Sequence, residues 1–76
     1  MKEENKIDIA KIENPYEKDI LSFLNKNGRC IYGDIMKELK LSYSKGQEAI
    51  YSLLNKGFIK HRDNTSYIEL NVQIKK

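Results

Sequence analysis

Disulfide chemistry, metal chemistry and membrane insertion are all missing from these 76 residues, which hold one cysteine, one histidine, two arginines and no long apolar run. Cys30 stands alone, so no disulfide can close within the chain, and a reducing compartment is expected. One cysteine and one histidine (His61) cannot build a structural zinc site within a chain. A Cys–His nucleophile would also need a third, orienting group and a pocket, and the sequence suggests neither. No enzyme activity, cofactor or metal is expected. The opening residues, MKEENKIDIAKIENP, have no apolar signal core, and no stretch approaches the length that spans a bilayer. The expectation is a cytoplasmic protein with no membrane partner. Only Arg29 and Arg62 could read guanine with a bidentate fork, so the basicity favours phosphate contact over base readout.

What is present is a mildly basic, lysine-rich chain of net charge +3. Residues 43–76 carry six basic and three acidic side chains, so the excess sits in the C-terminal half, which suggests a polyanion partner. A chain this short builds one small core. Residues 1–13 are a polar leader in which Ile7 and Ile9 alternate with Asp8, and Ile12 follows. They read as a flexible arm, an extra strand or a dimerisation element, and residues 14–76 as the folded domain.

Asn14, Pro15 and Glu17 stand as N-cap, N1 and N3 of a capping box, opening a first helix over 15–27. Tyr16, Ile20, Phe23 and Leu24 give it helical periodicity, and Gly28 ends it. Arg29-Cys30-Ile31 is a stub of strand. A second helix, poorly capped, runs from about Gly33 to Lys40. Ser42 caps a third over 43–56, with Gly46, Ala49, Ile50 and Leu53 on one face, and Gly57 closes it. Phe58–Arg62 is a strand, Asp63-Asn64-Thr65 a turn, and Ser66–Ile74 one strand whose Ile68, Leu70, Val72 and Ile74 alternate.

The stretch DIMKELKLSYSKGQEAIYSLLNKGFIKHRDNTSYIEL, Asp34 to Leu70, resembles the winged helix-turn-helix superfamily. Ile35-Met36-Lys37-Glu38-Leu39 matches its second-helix pattern, Lys40-Leu41-Ser42 its turn, and Leu53 to Ile59 its "LxxKGLI" helix ending. The resemblance implies an α+β, mainly α fold: three helices and a β wing of two to three strands. Leu39, Leu41, Ile50 and Leu53 would then clamp the second helix on the third, with Phe58, Ile59, Ile68 and Leu70 covering them.

It also implies duplex DNA binding by a small regulator of transcription, of the bacterial, archaeal or phage type. The third helix and the wing would make the contacts. Tyr43, Ser44, Lys45, Gln47 and Tyr51 lie on the outward face of that helix, near its start; Lys60, Arg62 and Asn64 lie on the wing. Two residues depart from the pattern. Gly46 requires a close neighbour, a late helix start or a kink. Glu48 would meet phosphates unfavourably. A protein-binding module, or an accessory subunit of a DNA-processing complex, is the alternative, since five tyrosines suit an interface. A homodimer through residues 1–13 and the C-terminal strand is a further expectation.

Overall fold

The computed structural model describes residues 6–62 and 66–75. In chain order the elements are β1 (Lys6–Asp8), one 3-10 turn (Ile9–Lys11), α1 (Pro15–Asn27), β2 (Cys30–Ile31), α2 (Tyr32–Leu39), α3 (Tyr43–Lys56), β3 (Ile59–His61), β4 (Tyr67–Leu70) and β5 (Gln73–Lys75). Three helices stand against an antiparallel sheet of order β2-β4-β3, while β1 and β5 form a separate parallel pair. This is the α+β, mainly α, winged architecture that the sequence implies.

Local chemistry accounts for the helix ends. The Asn14 side chain accepts from the Tyr16 and Glu17 backbone N–H groups at 2.9 and 3.4 Å, and Pro15 needs no such bond. The expected capping box is half formed. Glu17 turns inward instead, buried to 3% exposure, and its carboxylate accepts from Lys56 Nζ at 2.7 Å. A buried carboxylate is costly without a cationic donor, and Lys56 at the far end of α3 supplies it. Ser42 Oγ accepts from the Lys45 N–H at 3.3 Å. At the other end of α3, Gly57 takes φ +78°, the Phe58 N–H reaches Leu53 O and the Gly57 N–H reaches Leu54 O, both at 3.0 Å. This Schellman closure turns the chain directly into β3. α2 begins at Tyr32, one residue before the expected start, with no side-chain cap.

The core joins Ile20, Leu21 and Leu24 of α1, Ile35 of α2, Ala49, Ile50 and Leu53 of α3, and Cys30, Ile59 and Ile68 of the sheet. Of the expected clamp, Ile50 and Leu53 are central, while Leu39 and Leu41 pack at the margin. Gly46 is buried where α2 crosses α3. A Cβ built on it would stand 2.7 Å from Met36 Sδ, so close approach explains the glycine, and α3 starts on time at Tyr43.

Two expectations change. The strand expected over 66–74 is broken: the Asn71 N–H donates to Phe58 O at 2.9 Å and its Nδ2 to Gly57 O at 3.0 Å. These bonds end β4 and release β5 from the sheet. β5 then pairs in parallel with β1, Ile7 opposite Ile74. The leader isoleucines Ile7, Ile9 and Ile12 pack against the core, so they and Ile74 find their place within one chain. The expected turn at 63–65 lies outside the described residues.

Candidate nucleic-acid interface

The outward face of α3 carries a built polar row. Tyr43, Gln47 and Tyr51 succeed one another at spacings of four residues, which places them one above the next. The Gln47 Nε2 amide donates to Tyr43 Oη at 3.2 Å and to Tyr51 Oη at 3.4 Å. Tyr43 is 70% exposed and Tyr51 52%, so both rings present themselves to a partner while Gln47 fixes their spacing. Rigid aromatic side chains with a polar end suit contact with both bases and phosphates.

Tyr32 opens α2. It is half-buried, and its ring centroid lies 6.4 Å from that of His61 on β3, tilted by 51°. Burial first, then the Tyr51 and Tyr43 hydroxyls, raise its phenol above the ordinary tyrosine range. Tyr32 therefore joins the start of α2 to the wing strand β3. Sequence reasoning counted Tyr32 among the five interface tyrosines and His61 on the wing, but did not foresee their contact. The visible signal was a tyrosine directly after the strand stub, but nothing local reveals which element it would face.

The remaining expected residues divide among other places. Ser44 is exposed beside the row. Lys45 turns toward α1, where it lines an open groove with Glu13, Tyr16, Glu48 and Ser52. Glu48 thus stands on the α1 side of α3.

On the wing, Ile59 and Ile68 point into the core, so by strand alternation Lys60 and Glu69 point outward. Glu69 accepts from Arg62 Nη1 at 3.0 Å and stands 3.9 Å from Lys60 Nζ. Arg29 lies over the Tyr67 ring, 5.3 Å from its centroid. Lys60 and Arg62 are thus gathered around Glu69 on the outward sheet face, whereas His61 points to Tyr32. Asn64 lies outside the described residues.

Among the described residues no three His, Cys, Asp or Glu side chains come together as metal ligands, and no helix is long and apolar enough to cross a membrane.

No family model matches the chain, and neither does any curated protein. Solved structures do. The apo Zalpha domain of zebrafish PKZ is 33% identical, with 72% of this chain and 89% of that one aligned at a TM-score of 0.62. The Zalpha domain of Carassius auratus PKZ, solved in complex with Z-DNA, is 27% identical over 72% of this chain and 90% of that one, with a TM-score of 0.66. The Zalpha domain of Cyprinid Herpesvirus3 ORF112, whose Z-DNA binding mode was determined, superimposes at 0.68 over 78% of this chain and 97% of that one; at 17% identity it supports the fold alone.

Proposed function

The chain belongs to the Zalpha family of winged-helix domains, and from that membership we propose that it binds nucleic acid in the left-handed duplex form. The observation that carries this reading is the Tyr43–Gln47–Tyr51 row, pre-spaced by its own hydrogen bonds on the exposed face of α3. The similar domain of Carassius auratus PKZ is described with Z-DNA, and this face of α3 is the one with polar and aromatic groups turned outward together.

The chemistry of the row suits backbone and shape recognition. It holds no arginine, so base-edge readout of guanine has no bidentate donor there. Its rings and hydroxyls can rest on the backbone, with Ser44 and the helix N-terminus beside them. Lys45 and the wing cations Lys60 and Arg62 would add electrostatic attraction from the flanks. A role as a small transcriptional regulator would use the same face and would further require a defined control sequence.

The test is a titration with two duplexes of one alternating dC-dG sequence, one locked left-handed by base modification and one right-handed. Tight, salt-sensitive binding to the left-handed form, weakened by Lys45→Glu or Arg62→Glu, is expected. Equal affinity for both forms, or no binding to either at about 50 mM salt, would overturn the proposal.

One observation favours the protein-binding alternative. The groove between α1 and α3 is lined by Glu13, Tyr16 and Glu48 with Lys45 beside them, a mixed charged and aromatic surface suited to a protein partner. A stoichiometric partner released by Glu13→Lys and Glu48→Lys, but not by Tyr51→Ala, would support it.

A further inference from the structure

We propose that the outward face of the sheet β2-β4-β3 is a second nucleic-acid site, one that takes a single strand. Tyr67 and Arg29 would receive a base, and Lys60 and Arg62 the phosphates beside it. The site goes beyond the duplex reading above, because it belongs to the sheet and not to α3.

Strand register assembles the face. Tyr67 precedes the buried Ile68 on the central strand β4, so it points away from the core. Its partner on β2 is Ile31, which follows the buried Cys30. From the β3 side, the Arg62 N–H donates to Tyr67 O at 2.9 Å. Ile31, Tyr67 and Arg62 therefore cross the sheet in one row, and Lys60 stands opposite Glu69 in the next. Arg29, just before β2, lays its guanidinium over the Tyr67 ring, 5.3 Å from the centroid. The chain's two arginines thus flank one tyrosine. Tyr67 is 41% exposed and Ile31 36%, so the row carries an aromatic and an aliphatic surface as well as charge.

Charge selects the occupant. Among the described residues the face holds three cations, Arg29, Lys60 and Arg62, and one carboxylate, Glu69, shared between the last two. Positive charge is in excess, and a second copy of the face would set like charges against each other. A duplex keeps its base faces stacked on one another and would leave Tyr67 and Ile31 nothing apolar to cover. A single strand offers both groups at each unit: a planar base to stack and a phosphate to pair. A guanidinium plane stacks a base as an aromatic ring does, so Arg29 and Tyr67 act as one platform.

The probe is a labelled oligothymidylate, which neither pairs with itself nor forms the left-handed duplex, titrated against the full chain at about 50 mM salt. It should bind. Tyr67→Ala should weaken binding at least about fivefold, the loss of one stacked base, with the salt slope unchanged. Tyr67→Phe keeps the ring and should keep the affinity, which separates lost stacking from a damaged sheet. Lys60→Gln should make the slope shallower by about 0.7, the value for one phosphate contact on a single strand. In the wild type, the Tyr67 ring and Ile31 methyl resonances should shift when the strand is added. No binding of the oligothymidylate, unshifted Tyr67 and Ile31 signals, wild-type affinity in Tyr67→Ala, or a loss confined to Tyr51→Ala overturns the proposal. The left-handed duplex is read separately, and Tyr67→Ala should bind it as the wild type does. A wild type that takes the strand but no left-handed duplex removes the duplex reading and leaves this site standing.

Discussion

The Met36 thioether occupies the space that a side chain at position 46 would need: a Cβ on Gly46 would lie 2.7 Å from the sulfur and 2.8 Å from the terminal methyl. The interhelical turn depends on this contact, because α2 and α3 can approach closely only where one of them has no side chain. Gly46→Ile should therefore destabilise the domain by about 1–3 kcal/mol through overpacking. Combining it with Met36→Ala should recover part of that loss. Thermal unfolding of the two single variants and the double variant measures the coupling, and strict additivity would refute the contact.

Gly46→Ala is a finer test. Alanine gains about 1 kcal/mol of helix propensity over glycine, and the atoms it meets are the flexible end of Met36. The two effects oppose, so the midpoint should move by only a few degrees.

Lys56→Met should lower stability by about 1–3 kcal/mol, because it strands the Glu17 carboxylate without its donor. The lysine is half exposed and Glu17 is not, so the loss falls on the acid. In a domain of this size that corresponds to roughly 4–8 °C per kcal/mol. Lys56→Met combined with Glu17→Leu should regain much of it. By contrast, Arg62→Ala breaks an exposed pair with Glu69 and should cost less than about 1 kcal/mol.

Cys30 should be slow to modify. Burial, and secondarily the nearby Asp34 charge, push its thiol up, so the reactive thiolate is scarcer than for a free cysteine. Its reaction with a thiol reagent at pH 8 should accelerate strongly on adding denaturant. A native rate equal to that of a free thiol would contradict the buried placement.

On α3, Gln47→Ala should weaken left-handed duplex binding by about tenfold with little change in salt slope, since it removes the tie between Tyr43 and Tyr51 and no charge. Lys45→Ala should do the reverse: a small loss with a shallower slope.

The helices were legible because their signals are local. Asn14-Pro15, Ser42 and Gly57 mark ends that the structure keeps, and the bounds of α1 and α3 agree with them. What escaped depended on distance along the chain. Glu17 reads as a capping residue until Lys56, 39 positions away, is seen to claim it. The alternation from Ile68 to Ile74 reads as one strand because the Asn71 bonds that break it reach back to residues 57 and 58. Tyr43, Gln47 and Tyr51 could be grouped from helical spacing alone. The pairing of Tyr32 with His61 could not, since it follows from how the start of α2 meets β3.

The parallel pairing of β1 with β5 has a mechanical consequence. Lys6 lies opposite Gln73 and Asp8 opposite Lys75, so the chain enters at one end of the ribbon and leaves at the other. Tension applied through residues 6 and 75 pulls the two strands past each other along their length. Their hydrogen bonds then carry the load together instead of opening one at a time. A tether on either flank would strain this clasp before it reached α3, and the tyrosine face would keep its shape under pull.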